Sequence, residues 1–567
     1  MDMQLEIDLN RDGLEQGLLQ IADSEHDAIV VSSCFTPDDL TSPFLGQHIL
    51  PPASERVLKT CAQSLRTGGL LFIYGAPRFL PAYAQFLETL DDECYFEFKY
   101  WIAVQLHECR VRDTLYSSHV GILLYHKLPR KGTKLFNINT SFRIPHAYCS
   151  ACNRNLRDWG GKKHLMNPNG AALSDVWTDF PVRPLTDNRI PQDVLERVIG
   201  LAGGRAVHVV ESVGCESQKI CIQNNTSLLA QDLDVDKVEV ADCIEFLEGL
   251  LPKYEHGAFD LVFADPPYNL SKLYSNYSDT QAAEKYVAWC DRWLELCARL
   301  LKAGGSLFAL NIPRWALSHA RTLDKQLQFR HWIVWHALAE PRGKLLPAHY
   351  ALLHYTKDGA PVVFNYSDFP QEGMVSQPDS PEYCLRASCI KTRKSLGNDK
   401  KVPLTDIWFD IHRIKHKRDR DYHPCQLPEK LLERIILLSS NPGQVVFDPF
   451  CGVGTTAIVA KRLGRHYITT DIDPTYVRIT ENKIEQMERN RTLFGGFDVP
   501  RIPVHRPARL ITKKYIESII QQLARELGRT PELEDIRKYD AMIYEEIPKL
   551  YSNPRKALGA ARVVLNR

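Results

Sequence analysis

The chain has 567 residues, of which 44% are apolar and 25% charged, so it is too long for one core and ordinary in composition for a soluble globular protein. A net charge of +1 excludes a uniformly basic or acidic molecule. No apolar run reaches the ~18 residues of a membrane span, and the acidic start "MDMQLEIDLNRDGLEQ" lacks the core of a secretory signal. Fifteen cysteines stand singly, mostly inside apolar runs, as buried thiols do in a reducing compartment. A cytoplasmic protein is expected.

Taken in chain order, short runs rich in Val, Ile and Phe alternate with amphipathic helical stretches. That alternation predicts a largely parallel sheet with helices on both faces. The first half then recurs in the second. "HDAIVVSSCF" (26–35) matches "FDLVFADPPY" (259–268), and "LKTCAQSLRTGGLLFIYG" (58–75) matches "LELCARLLKAGGSLFALN" (294–311). "YSSHVGILLYHK" (116–127) matches "LPAHYALLHYTK" (346–357), and "YCSACNRN" (148–155) echoes "YCLRASCIKT" (383–392). "LSDVWTDF" (173–180) echoes "LTDIWFDI" (404–411), and "IPQDVLERVIGLAG" (190–203) matches "LPEKLLERIILLSS" (427–440). The displacement stays between 230 and 237 residues through all of these blocks, which predicts two copies of one α/β domain, 1–219 and 220–498.

The second copy carries the chemistry. "VADCIEFL" supplies Asp242, and "FDLVFADPPYNL" (259–270) ends an apolar strand in an acid and two prolines, which cannot continue a sheet ladder. "WCDRWLELCARLLKAGG" reads as a helix capped by its Gly-Gly pair. From Arg386 to Arg420 there are 11 Lys/Arg against 4 Asp/Glu, a local basic stretch that a polyanion would need. "GQVVFDPFCGVGTTAIVAKRLGRHYITTDID" (443–473) reads as strand, glycine loop, helix, strand. Asp448 ends the first strand, Gly452 and Gly454 open the helix near Thr455, and Asp471 follows at the spacing of about 20 residues that suits a ribose-binding acid. The loop lacks the Lys of a phosphate-binding P-loop and the third glycine of a dinucleotide fingerprint, so the expected ligand is another nucleoside. Beyond 498 the chain changes character: from Ile502 there are 13 Lys/Arg against 8 Asp/Glu, with helical periodicity interrupted by Gly-Arg-Thr-Pro, so 499–567 is expected to be a small helical appendage.

"FADPPYNL", "HPCQLPEKLLERII" and "VVFDPFCGVGTTAIVAKRLGRHYITTDID", in that order, resemble the β-group amino-methyltransferases of DNA, over most of 220–495. The resemblance implies two tandem Rossmann-like domains, the first degenerate and the second intact. It implies that Asp242, Asp448, Phe450, Gly452, Gly454, Thr455 and Asp471 hold S-adenosylmethionine. Three positions depart from the family pattern: Asp471 stands where Glu is usual, and Cys425 and Leu427 make "HPCQLP" where "HPTQKP" is usual. Asp265 and the carbonyl of Pro266 would accept hydrogen bonds from a base amine, Pro267 would stiffen the corner, Tyr268 would stack on an extruded base and Asn269 would orient the loop or the base edge. Asp at the first motif position favours adenine N6 over cytosine N4 by family tendency. An RNA substrate and a non-catalytic DNA-binding scaffold are the alternatives.

The resemblance also implies double-stranded DNA as partner, a restriction or defence-system subunit as a companion, and target recognition near 358–422. There Lys391, Arg393, Lys394, Lys400, Lys401, Lys415, Lys417 and Arg418 are candidate DNA contacts, and His412, His416 and His423 lie in the same basic loop. The first copy has Ser32-Ser33-Cys34-Phe35 at the matched corner, and "RAVHVVESVGCESQK" (205–219) lacks a Gly-x-Gly loop, so it is expected to be catalytically silent and to act as the partner in an intramolecular pseudo-dimer. The tail "LARELGRTPELEDIRKYDAMIYEEIPKLYSNPRKALGAARVVL" resembles small helical repeats attached to some homing endonucleases, which implies DNA binding; an oligomerisation element is the other reading. Cys149-x2-Cys152 and Cys384-x4-Cys389 give each copy two thiols with no second pair nearby in sequence, and no metal is assigned to them.

Overall fold

The computed structural model describes residues 5–489 except 9–12, 34, 37–38, 41–49, 91–94, 110–113, 130–134, 157–163, 165, 212–232, 255, 271–278, 338–342, 360, 367–374 and 415–425, together with scattered positions from 516 onward. The chain divides into two compact units, Met1–Pro500 and Arg501–Arg567.

The larger unit holds two sheets. The first runs β1 (Leu5–Asp8), β9 (Val207–Glu211), β2 (His26–Ser32), β3 (Leu65–Gly75), β5 (Ser117–Lys127), β4 (Phe96–Cys109), β8 (Val176–Trp177). The second runs β10 (Lys237–Val240), β19 (His466–Asp471), β18 (Val445–Asp448), β11 (Phe259–Ala264), β12 (Leu301–Asn311), β14 (His349–Thr356), β13 (Gln328–His336), β17 (Ile407–Trp408). Strands 9-2-3-5-4-8 and 18-11-12-14-13-17 follow one order. In both, the central strands pair in parallel, β5 or β14 enters antiparallel, and the last short strand is parallel again. The matched sequence blocks thus occupy matched places. One place is filled differently: beside β9 lies the N-terminal strand β1, where the second sheet has β19 beside β18. Two short ladders, β6 (Arg143–Ile144) with β7 (Ala171–Ala172) and β15 (Gln377–Pro378) with β16 (Lys401–Val402), lie outside the sheets.

An aspartate at the foot of the second sheet ties three strands together. Asp260 accepts from Val445 N of β18 at 2.9 Å and from Lys302 Nζ of β12 at 2.8 Å. Asp27, its counterpart, lies 3.3 Å from Arg66 of β3. The glycine pairs depart from the helix cap expected for them. Helix Ala283–Leu300 ends at Leu300, and Gly304 and Gly305 lie inside β12. Gly304 has φ +70°, and the β11–β12 register shifts between Phe259 and Leu261. Gly68 (φ +85°) does the same in β3. These glycines make a β-bulge, the local kink for which positive φ is needed.

The two sheets meet through equivalent residues. Trp101 of β4 stacks on Trp332 of β13, with centroids 3.7 Å apart and planes at 10°. Asp175 Oδ1 accepts from Ala348 N at 2.7 Å and His349 N at 3.1 Å. In return Asp406 Oδ1 accepts from Ser118 N at 2.9 Å, and its Oδ2 lies 3.0 Å from His119 Nδ1. Backbone bridges Ser174–Leu346 and Tyr116–Thr405 complete the exchange. Ile407–Trp408 belongs to the central sheet, so the stretch 358–422 is only partly an insert.

The matched carboxylates differ electrostatically. Burial raises Asp406, but the neighbouring His119 and Ser118 outweigh it and hold the carboxyl below its ordinary value. Asp175 has no such side-chain partner among the described residues, and burial pushes its carboxyl up to about 7 despite the two backbone donors. A carboxyl raised on folding contributes stability that is fully present below its unfolded value near 3.8 and is lost as pH rises through about 7. Asp175→Asn can keep both accepted bonds through its carbonyl oxygen while removing the charge. Urea unfolding is expected to show the variant gaining stability relative to the native chain between pH 5 and pH 8. A pH-independent difference would contradict this.

In the smaller unit, Ile516, Ile520, Leu523, Ala524, Ile536 and Ile547 form an apolar cluster, and helix Leu533–Tyr539 follows Pro531.

Candidate active site

The site lies where β18 and β11 pair side by side. From β18 the chain continues to β19 on one flank, and from β11 to β12 on the other. Diverging connections open a crevice at the carboxyl ends of such strands. One pocket there is lined by Asp265, Pro266, Pro267 and Tyr268 from the end of β11, and by Asp448, Phe450, Gly452 and Thr455 from the end of β18. Asp242 and Asp471 line its far end. Sequence segments up to 229 positions apart thus meet at one cavity. Asn269 and Gly454 stand just behind its wall.

The Asp-Pro-Pro-Tyr corner is held by residues the sequence reading did not single out. Tyr268 donates its hydroxyl to Asp265 Oδ1 at 2.6 Å, and Trp315 Nε1 donates to Tyr268 O at 2.8 Å. Tyr286 donates its hydroxyl to Pro267 O at 2.6 Å, and Asn311 Nδ2 lies 3.2 Å from that hydroxyl. Asn269 adopts φ +53°, a conformation Asn tolerates better than most residues. Its amide N donates to buried Asp279 at 2.7 Å, and its side chain exchanges two hydrogen bonds with the backbone of Gln281. These bonds tie Asn269 into its own loop. Tyr268 is only 8% exposed, and its ring lies 6.0 Å from Tyr350, so it anchors Asp265 as well as lining the pocket.

The glycine loop is built around two carboxylates. Asp448 accepts from Phe450 N at 2.8 Å and Thr456 Oγ1 at 2.5 Å, fixing the first turn of helix Thr455–Arg462. Asp471 accepts from Gly452 N and Asp473 N, both at 2.8 Å. Desolvation raises Asp448 to about 7 and Asp471 to about 6. Asp242 caps helix Cys243–Leu250, accepting from Ile244 N at 2.8 Å. Phe450 packs between Trp289 and Trp293, giving the pocket an apolar wall, and Ile472 is half exposed at its rim. Acids at one end with apolar and aromatic walls between suit a nucleoside carrying a positive charge. The close backbone approach at Gly452 and Gly454 fits the same ligand class.

One of the candidate DNA contacts is placed elsewhere by the structure. Arg393 is 1% exposed, pairs with Asp399 at 3.0 Å and donates to Cys384 O, so it is a structural cation and not a DNA contact. Lys391, Lys394, Lys400 and Lys401 are exposed, as a phosphate-contacting residue must be. Lys415, Lys417, Arg418, His416 and His423 lie outside the described residues. In the first sheet, Ser33 N donates to Tyr74 O at 2.7 Å and Phe35 is buried, so the matched corner is packed shut. Cys34 and 212–232, which include most of the matched cofactor segment, are outside the described residues.

Gly454 caps its helix with φ +81°, and a Cβ there would sit 2.3 Å from Thr480 Cγ2. Gly454→Ala is expected to cost at least about 2 kcal/mol from backbone strain and overpacking. Thermal unfolding should show a clear drop in Tm; an unchanged Tm would contradict the loop geometry.

A family model described as DNA methylase matches residues 259–482. Type II methyltransferase M.BamHI of Bacillus amyloliquefaciens is 34% identical over 46% of this chain and 60% of its own length. The match therefore spans less than two thirds of that relative. Type II methyltransferase M.HpaI of Haemophilus parainfluenzae is 30% identical over 47% of this chain and 80% of its own. DNA adenine methyltransferase YhdJ of Escherichia coli (strain K12) is 30% identical over 41% of this chain and 79% of its own. With the Asp-Pro-Pro-Tyr corner facing the glycine loop across one pocket, the chain belongs to the amino-methyltransferases of DNA, a family that uses S-adenosylmethionine.

Proposed function

We propose that the chain methylates an exocyclic amine of a base extruded from double-stranded DNA, with adenine N6 the favoured acceptor. The observation that carries this reading is the shared pocket: Asp265 at the end of β11 faces the Gly452 loop at the end of β18. S-adenosylmethionine, when bound, supplies an electrophilic methyl group. Gly452, Phe450, Asp471 and Asp242 would hold it, by backbone approach, apolar wall and ribose-directed carboxylates.

The amine of adenine is a weak nucleophile because its lone pair is delocalised into the ring. Asp265 and the Pro266 carbonyl accept hydrogen bonds from that amine, favouring a tetrahedral nitrogen and stabilising the positive charge that develops on it. A carboxylate has acceptor capacity for both the Tyr268 hydroxyl and a base amine. Tyr286, bonded to Pro267 O, keeps the corner from rotating, so the acceptors are preorganised. After transfer the methylated nitrogen is positively charged and far more acidic than the neutral methylamino product, so its proton leaves to solvent.

Asp at the first motif position and the adenine-specific name of the Escherichia coli relative support adenine. Cytosine N4 presents the same amine geometry and is the alternative, as is an RNA substrate; the intact corner and loop argue against a non-catalytic scaffold. Exposed Lys391, Lys394, Lys400 and Lys401 are proposed phosphate contacts, and the Arg501–Arg567 unit a DNA-binding appendage. The 1–219 half is proposed as a catalytically silent copy of the 220–498 domain, completing an intramolecular pseudo-dimer. The closed Ser32-Ser33 corner and the shared strand order support that reading. A restriction–modification setting in the cytoplasm, with a nuclease companion, is in keeping with the Type II relatives.

Incubation with methyl-labelled S-adenosylmethionine and duplex DNA, followed by nucleoside analysis, should yield N6-methyladenine. N4-methylcytosine would select the alternative, and label in RNA alone would overturn the DNA reading. Asp265→Ala is expected to abolish transfer while cofactor affinity by calorimetry stays within a few-fold. Undiminished transfer would remove Asp265 from the mechanism. Tyr286→Phe should lower kcat about tenfold with little change in cofactor affinity, the signature of lost preorganisation.

A further inference from the structure

The two cysteine pairs that sequence leaves 235 residues apart, Cys149 with Cys152 and Cys384 with Cys389, converge. All of their Sγ atoms lie within 4.8 Å of one another. The closest contacts run between the halves: Cys149 to Cys389 at 3.6 Å and Cys152 to Cys384 at 3.7 Å. Because Cys149 matches Cys384 and Cys152 matches Cys389 in the repeat, these two contacts are equivalents of each other. The sulfurs are free thiols, well beyond the ~2.05 Å of a disulfide. Four sulfurs bound at about 2.3 Å to one tetrahedral ion stand about 3.8 Å apart, close to the spacing found.

The supporting backbone is that of a ligand site. Residues 147–156 form a tight turn: Cys149 N donates to Arg154 O at 2.8 Å, Asn153 N to Cys149 O at 2.8 Å and Leu156 N to Ala147 O at 2.9 Å. Asn153 takes φ +49° to close it. Cys389 sits in the first turn of helix Ala387–Ser395. Donors point at the sulfurs: Cys384 N lies 3.3 Å from Cys149 Sγ, and Arg393 Nη1 lies 3.2 Å from Cys389 Sγ. Hydrogen bonds of this kind orient thiolates and temper the excess negative charge of a four-thiolate site. His146 is turned away, bonded to Asn167 O at 2.7 Å. Cys149, Cys384 and Cys389 are at most 5% exposed, and Leu156 and Tyr383 pack against the group, so the site is closed to substrate.

We propose that Cys149, Cys152, Cys384 and Cys389 bind one Zn²⁺ ion as four thiolates, a structural clasp between the two halves of the chain. Each thiol gives up its proton to solvent on binding, so four protons are exchanged for one Zn²⁺ with no change of oxidation state. The closed, all-sulfur donor set suits zinc in a structural role and leaves no position for a water. The ion fixes the helix Ala387–Ser395, from which Lys391 and Lys394 project. Its loss should therefore weaken DNA binding more than cofactor binding, a consequence that rests on the proposed function; the metal content does not.

The test begins with the intact chain purified without chelator. Elemental analysis should find about one zinc per chain, released by an organomercurial with a matching chromogenic signal. Exchange for Co²⁺ should give the strong thiolate-to-metal charge-transfer and d–d absorption of a tetrahedral four-sulfur site. Cys152→Ala with Cys384→Ala should lower bound zinc at least tenfold. Folded native chain that holds neither zinc nor added Co²⁺, or in which mass spectrometry finds Cys149 disulfide-bonded to Cys389, would overturn the proposal. Should the double variant fail to fold, the zinc and cobalt readings on the native chain decide the matter alone.

Discussion

The site depends on one strand pairing. β11 and β18 lie in parallel, Leu261 beside Val446 and Val262 beside Phe447, though they come from distant parts of the chain. Asp260 secures the pairing from below by holding Val445 N, Gln444 Nε2 and Lys302 Nζ at once. A one-residue slip would turn the buried Val446 and Phe447 side chains to the wrong faces and move Asp448 away from Asp265. Both walls of the candidate site are thus positioned by the same ladder: the Asp-Pro-Pro-Tyr corner and the glycine loop. The pocket needs no induced assembly of distant domains, since its walls are the ends of adjacent strands.

The seam between the sheets shows how two matched halves can use the same contact differently. Each half offers a buried aspartate to the backbone of the other, at Asp175 and Asp406. Only Asp406 meets a histidine, because the residue matching His119 is His349, whose ring is turned to Trp332 Nε1 at 3.0 Å. One carboxyl therefore faces an imidazole and a hydroxyl, and the other accepts from backbone N–H groups. The Trp101–Trp332 stack between them is apolar and insensitive to this difference, and aromatic pairs of this kind add about 0.5–1.5 kcal/mol beyond their buried area.

Much of the site was legible in sequence because its residues are short linear motifs with a local physical cause. Asp265 to Tyr268 end a strand that prolines forbid from continuing, and Gly452 and Gly454 open a helix between two acids; each reads without its neighbours. What supports them was not legible. Tyr286, Trp315, Asn311 and Asp279 act through tertiary contacts, and nothing in their own surroundings marks a Tyr on an apolar helix face as the anchor of a proline carbonyl. Gly304 and Gly305 resembled a helix cap because a cap and a bulge both call for positive φ; the strand simply began earlier. Arg393 sat among exposed lysines and was read with them, but helical periodicity turns it inward to Asp399. The strand order was not legible in sequence; the internal repeat predicted only that the two halves share one domain plan, and the replacement of a β19 equivalent by β1 left no trace in it.

The β11–β18 ladder also has a consequence in time. A chain growing from its N-terminus completes β10 through β17 before β18 exists, so Asp265 emerges from the ribosome long before Asp448 and the glycine loop. Contacts so far apart in sequence carry a large loop-closure cost and form late. A truncated or half-made chain therefore carries the Asp-Pro-Pro-Tyr corner without the glycine loop that faces it. Synthesis order alone keeps the candidate site incomplete until nearly the whole of the Met1–Pro500 unit has been made.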